Sequence, residues 1–217
     1  MTGQPAAAPA IEAVGLRRSF GDVVAVDGVD LSVPRGSVLG LLGPDGAGKS
    51  TLIRMLATVL RPDAGDARVQ GYSVTRQANR VTPRIGYMSQ KFALYPDLSV
   101  AENIAFDEMV GLRPRGIDYR GMKERARAAL ARLGVTLDLD ARLETQPIAQ
   151  RQVVAIARAF MNEARLIFMD EPTVAVDPQS RNAILEGIRR LNAQGATIVY
   201  TSHYMEEVEE ICSRIII

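Results

Sequence analysis

Gly43-Pro44-Asp45-Gly46-Ala47-Gly48-Lys49-Ser50-Thr51 decides the fold of this chain. The stretch fits G-x-x-x-x-G-K-[ST], with Gly43, Gly48, Lys49 and Ser50 at the fixed places. Val38–Leu42 precedes it as a short buried-strand run, and Leu52, Met55, Leu56 and Val59 follow at helical spacing. A strand, a loop and a helix are therefore predicted in that order. The residue types match what a triphosphate needs. Gly46 and Gly48 avoid side-chain clash and let successive backbone N–H groups turn inward. The helix beginning near Lys49 adds its positive dipole end, and Lys49 adds a full charge. Ser50 offers a hydroxyl oxygen to Mg²⁺, with Thr51 as neighbouring support. The implied ligand is a nucleoside triphosphate.

Bulk properties narrow the classes further. A chain of 217 residues is long enough for one substantial core, or for a core with a smaller inserted lobe. A net charge of +1 and a charged fraction of 24% carry no polybasic signature, so nucleic acid is not expected as a partner. The single cysteine, Cys212, excludes an intrachain disulfide and a cysteine metal cluster, and fits a reducing compartment. No apolar run reaches transmembrane length; work at a membrane would need a partner to supply the membrane part. Met1–Ala10 is Ala/Pro-rich without the features of a signal peptide, and reads as a frayed, disordered tail ahead of a domain spanning 11–217.

Between Ile11 and Val33 short β-branched runs are punctuated by Gly21, Asp27-Gly28 and Pro34-Arg35-Gly36, which predicts hairpins. Arg61-Pro62-Asp63-Ala64-Gly65 is a stop-and-turn cluster, and Arg84–Met88 a further strand candidate. From 91 to 160 the pattern is mostly helical. Ala126, Leu130 and Leu133 form one apolar stripe closed by Gly134, with Lys123, Arg125, Arg127 and Arg132 on solvated faces. Strand Leu166–Met169, helix Pro178–Leu191 closed by Gly195, strand Thr197–Thr201 and helix Tyr204–Cys212 then alternate. Such alternation argues a parallel sheet with helices on its faces.

Three further pieces point at the same ligand. Leu166–Met169 ends in Asp170 and Glu171, and an apolar strand ending in acids beside a phosphate loop brings Asp170 to the Mg²⁺ shell. Glu171 is then placed to orient or deprotonate an attacking water. His203, the only histidine, follows Thr197–Thr201 at the carboxyl end of a strand, where α/β ligands bind; a γ-phosphate contact is favoured over a structural role. Gln90 is also a strand-end polar residue, weak evidence taken alone.

Together these residues resemble the nucleotide-binding domain of ABC transporters. The match runs through Phe20-Gly21, Gly43–Thr51, Tyr87-Met88-Ser89-Gln90, Met169-Asp170-Glu171-Pro172-Thr173, Val176-Asp177-Pro178 and Thr201-Ser202-His203. The resemblance implies an α/β P-loop NTPase fold: a RecA-like core with a mostly parallel sheet, an antiparallel β subdomain, and an inserted helical lobe at about 91–160. It implies that Phe20 stacks on adenine, that Gln90 reaches the Mg²⁺ and attacking-water region, that Asp177 lies in the loop meeting a second domain, and that His203 is the switch histidine. Expected ligands are ATP and Mg²⁺. Expected partners are a membrane permease and another ATP-binding domain, identical or different, at the cytoplasmic face of the membrane. Tyr87–Leu98 and His203–Glu207 look most like the exporter branch.

Three departures stand out. The family's Leu-Ser-Gly-Gly-Gln signature, which closes over ATP held by the partner domain, falls on Gln146-Pro147-Ile148-Ala149-Gln150, where only Gln150 remains. Pro147 offers neither hydroxyl nor N–H, and Ile148 and Ala149 put side chains where glycines let backbone approach phosphate. Losing two or three bonds to a charged group would remove roughly 3–8 kcal/mol from the closed dimer. Asp45 stands where asparagine is usual, and should point to solvent or meet a cation. Arg214–Ile217 reads as a strand just begun, in a fragment or in a chain lacking its closing elements. A regulatory module that binds ATP without hydrolysing it, and a non-transport ABC protein, remain as rival readings.

Overall fold

The computed structural model describes residues 8–90, 94–111, 118–161 and 164–216. Strand β1 (Ile11–Phe20) folds back on β2 (Val23–Val33) through a tight turn at Gly21, whose φ is 57°. The second glycine signal has a different meaning. Asp27-Gly28 lies inside β2, not at a turn; between the Leu16–Val29 and Arg18–Val26 pairs the register slips. Gly28, at φ 65°, absorbs the extra residue as a bulge, so one long hairpin replaces several short ones. After β3 (Val38–Leu42) and α1 (Lys49–Leu56), β4 (Ala64–Val69) and β5 (Tyr72–Ser73) extend this antiparallel sheet in the order β2-β1-β4-β5. β4 starts inside the segment expected to be a turn.

The predicted tail also ends earlier than Ala10. Ala10 is fully buried, its N–H donates to the Val33 carbonyl, and its own carbonyl accepts from Gln70 N–H. Sheet pairing holds this residue, as it does the strand that follows. The rest of that reading, 1–7, lies outside the described residues, as do 91–93 and 217.

The second sheet is parallel throughout. Helix α2 (Ala78–Val81) leads to β6 (Ile85–Met88); β7 (Leu166–Asp170), β8 (Thr197–Ser202) and β9 (Arg214–Ile216) complete the order β6-β7-β8-β3-β9. Its central strands read as unbroken apolar runs because both faces are covered. Leu166 and Phe168 face one core with Leu39, Leu41, Val199, α1 and the antiparallel sheet. Ile167 and Met169 face the other, with Val38, Ile198 and Tyr200.

That second core holds the helical lobe: α3 (Val100–Ile104), α4 (Phe106–Gly111), α5 (Tyr119–Leu133) and α6 (Ile148–Phe160). Ser99 caps α3 in a capping box with Glu102. The apolar stripe of α5 is buried as expected, and Gly134 closes the helix at φ 75°. Helices α7 (Pro178–Ala193) and α8 (Met205–Ile211) pack on the same face, where burial pushes the Cys212 thiol up to about 12. Among the described residues no helix is long and apolar enough to cross a membrane.

Lobe and sheet come very close at Gly86 on β6. A Cβ there would collide with the carbonyl oxygen of Ala159 on α6, a backbone atom that cannot swing aside. Gly86→Ala should therefore lower stability by about 1–3 kcal/mol. Val14→Thr, on an exposed strand face, should change it by no more than about 0.5 kcal/mol. Urea denaturation of the two variants checks the contrast.

Candidate nucleotide site

Four strands of the parallel sheet deliver polar groups at their carboxyl ends. β3 runs into the 43–48 loop, β6 toward Gln90, β7 into Asp170 and Glu171, and β8 into Ser202 and His203. The loop's shape depends on two left-handed glycines, Gly46 at φ 83° and Gly48 at φ 88°. Gly48 also sits so close to β2 that a Cβ would strike the Ala25 carbonyl oxygen. Lys49 folds back along the loop: its Nζ donates to the carbonyls of Gly43 (2.6 Å) and Pro44 (2.9 Å). Those carbonyls keep the ammonium at the mouth of the loop. An arriving phosphate oxygen would compete for the same protons with a full negative charge.

Ser50 begins the chemistry on the opposite wall. Its hydroxyl donates to Asp170 Oδ1 (2.8 Å), which also accepts from Thr201 Oγ1 (3.0 Å). Asp170 is fully buried, and its second oxygen, Oδ2, is buried without a hydrogen-bond partner among the described residues. A carboxylate oxygen in that state is costly unless something cationic takes it up. Hydroxyl and carboxylate oxygens are the hard donors that Mg²⁺ prefers, so the residues present fit that ion.

Glu171 follows at φ 51°, a left-handed conformation rare for a residue with a side chain. Its N–H is held by Thr201 Oγ1 (2.9 Å), and its Oε2 accepts from Gln90 Nε2 (2.7 Å). His203 Nδ1 lies 3.9 Å from Glu171 Oε1. Backbone strain at a buried carboxylate is stored where surroundings over-determine the geometry. Here Thr201, Gln90 and His203 supply that constraint.

Phe20, Ala25, the 45–51 loop, Gln90 and Glu171 line one open cleft of about 290 Å³. Phe20 is 49% exposed at its mouth, with the Arg18 guanidinium 5.0 Å above the ring, so it is not part of the core. Asp45 is solvent-exposed, yet one of its oxygens lies within 4.8 Å of ligand atoms on both Glu171 and His203.

The two residues expected at a second domain lie elsewhere. Asp177 caps α7, accepting from Ser180 N–H (2.9 Å), and the Ser180 hydroxyl holds its carboxyl below the usual range. Gln150 is half-buried in the first turn of α6. That helix begins at Pro147, which gives no side-chain cap, and Ile148 is 48% exposed beside it. Thr201, to which the sequence pattern assigns no role, touches both acids; a hydroxyl at the end of an apolar strand is the one signal that marks it.

The family profile described as ABC transporter matches residues 26–174. This chain belongs to that family. It is 40% identical to the linearmycin resistance ATP-binding protein LnrL of Bacillus subtilis over 94% of the chain and 65% of that protein. It is 38% identical to the Nod factor export ATP-binding protein I of Ralstonia nicotianae, over 95% and 63%. It is 42% identical to the ribose import ATP-binding protein RbsA 1 of Rubrobacter xylanophilus, over 95% and 42%. The chain thus spans less than two thirds of these relatives' length. Among solved structures, a nucleotide-free ATP-binding cassette from an ABC transporter superposes with TM-score 0.85 at 26% identity, covering 95% of this chain and 86% of that one. The P-loop α/β core, antiparallel sheet and helical lobe are therefore those of an ABC cassette.

The cassette's loop depends on Gly48 in two ways, through its φ and through its contact with β2. Gly48→Ala should weaken ATP binding by about tenfold or more in titration calorimetry. Gly36→Ala has a similar φ (71°) but lies in open space away from the cleft, and should leave affinity unchanged.

Proposed function

We propose that this chain is the ATP-binding and ATP-hydrolysing subunit of an ABC transporter that exports its substrate through a separate membrane permease. The observation that carries the reading is the meeting of Ser50, Asp170, Glu171, Gln90 and Thr201 beside the 43–51 loop. Loop amides and Lys49 bind the phosphates; the two carbonyl bonds of Lys49 give way to phosphate oxygens. Ser50 and Asp170, with Gln90 beside them, hold Mg²⁺, which when bound offsets charge on the phosphate oxygens. Phe20 stacks on the base. Glu171 faces the attacking water and takes up or orients its proton, while Gln90 keeps the carboxylate turned toward the cleft. His203 contacts the terminal phosphate. Catalysis is positioning and electrostatics, with no covalent enzyme intermediate.

Export is favoured by the resistance and Nod factor relatives and by the exporter-like residues at 87–98 and 203–207. The ribose import relative argues the other way, and transport by the chain with its permease in inverted vesicles decides between them. The chain's place is then the cytoplasmic membrane face, held there by the permease.

The second reading, an impaired or regulatory site, has its own observation in Pro147 and the exposed Ile148 at the start of α6. We favour a heterodimer. The partner domain brings an intact signature to this chain's loop, and Gln146–Gln150 makes a poor lid over the partner's ATP. Asp177 and Gln150 lie on that interface.

Lys49→Ala should abolish ATP binding; calorimetry showing wild-type affinity would remove the loop from the proposal. Glu171→Gln should bind MgATP normally and lose about a hundredfold or more in turnover. Chelating Mg²⁺ with EDTA should stop hydrolysis by the wild type, and restoring the ion should recover it. A single-turnover assay, run alone and with an intact partner domain, reads both.

A further inference from the structure

One buried carboxylate takes no part in the proposed hydrolysis. Glu207, in the first turn of α8, is 2% exposed. Three hydroxyls converge on it. Thr173 Oγ1 lies 2.9 and 2.8 Å from its two oxygens, Tyr200 OH donates to Oε2 at 2.6 Å, and Ser202 Oγ donates to the same oxygen at 2.8 Å. Arg181 Nε stands 3.2 Å from Oε1 as an ion pair, without the alignment of a hydrogen bond. Burial and the Glu207 charge hold the Tyr200 phenol well above its ordinary value, so it stays a donor.

These groups come from three pieces around the site: the turn after β7, strand β8 and helix α7. Thr173 is two residues past Glu171, in the turn where Val174 N–H donates to the Glu171 carbonyl. Ser202 precedes His203 directly, and its hydroxyl oxygen also accepts from Tyr204 N–H (3.0 Å), so the histidine is bracketed on both sides. Arg181 lies in α7, the helix that Asp177 caps. Its guanidinium sits 4.7 Å over the Tyr204 ring, which packs 4.0 Å from the His203 ring. Filling space would need only an apolar side chain, with no charge to desolvate. A carboxylate with three hydroxyl donors instead fixes directions.

We propose that Glu207 is a positioning residue: by binding Thr173, Ser202 and Arg181 at once, it sets His203 against Glu171 and ties both to the start of α7. The inference rests on the reading of Glu171 and His203 as the phosphate end of the cleft. It adds that their separation is controlled from behind by a group that never meets the nucleotide.

His203 is the only histidine in the chain, so a ¹⁵N-histidine-labelled sample reports a single imidazole. In the full chain, Glu207→Gln should shift or double the His203 ring signals, and with an intact partner domain present it should lower kcat by about tenfold or more. KM for MgATP and the calorimetric Kd should stay within about twofold. Ser202→Ala should act in the same direction, and the double variant should be no worse than the more severe single one. Should Glu207→Gln fail to fold, Ser202→Ala carries the test alone. Wild-type His203 signals and kcat in folded variants would overturn the proposal. So would a fall in melting temperature with kcat per folded molecule unchanged, which is the mark of a merely structural acid. If the wild type paired with an intact partner domain hydrolyses nothing, the reading of the site fails, and the histidine spectrum still decides the role of Glu207.

Discussion

Asp170 Oδ1 accepts from Ser50 on α1 and from Thr201 on β8, and the arrangement of the site depends on that double contact. β7 and β3 are not neighbours; β8 lies between them in the sheet. The loop that follows β3 and the acids that follow β7 are therefore brought together across an intervening strand. A hydroxyl on that strand makes the bridge. Because the oxygen is fully buried, the two hydrogen bonds cannot be exchanged for water, and losing either would expose the desolvation cost of a charged group. The same Thr201 hydroxyl accepts from the Glu171 N–H and so helps to hold a backbone conformation that glutamate would not choose alone. One threonine thus fixes Asp170 and Glu171 together.

This geometry explains why the cleft is built from strand ends and not from a single loop. β3, β7 and β8 are covered on both faces, which leaves the carboxyl end of each as the place where a polar group can emerge without breaking a ladder, and the edge strand β6 ends on the same side. The antiparallel sheet adds the aromatic face of Phe20 and the Ala25 carbonyl against Gly48. The helical lobe shares the core on the other face of the parallel sheet, and the start of α6 is not part of the cleft lining.

Much of this was legible in the sequence, for a physical reason that also marks its limit. β3, β7 and β8 announce themselves as apolar runs, α5 and α7 as amphipathic helices closed by glycine, and the strand-end acids by their position. Local pattern fails where long-range pairing decides. Ala64–Val69 has small and charged residues poorly suited to a strand, and becomes one because β1 offers a free edge. Gly28 looks like a turn residue and serves as a bulge because β1 continues opposite it. Thr201 bridges two acids only because β8 lies between β3 and β7, an ordering that no local pattern encodes.

Glu207 falls between these cases. Helix α8 carries four glutamates, at 206, 207, 209 and 210, and composition treats them alike. Helical geometry does not: Val208 and Ile211 are buried, and 207 stands four residues before 211, on the same face. A carboxylate on the apolar face of a short helix must find donors or be expelled. The donors it finds are hydroxyls at the ends of β8 and in the turn after β7, the two segments that also deliver His203 and Glu171. An apolar residue at 207 would satisfy the packing but take away the acceptor that those three hydroxyls share. The acid is thus required by the polar ends of the strands, and those ends are polar because the cleft lies just beyond them.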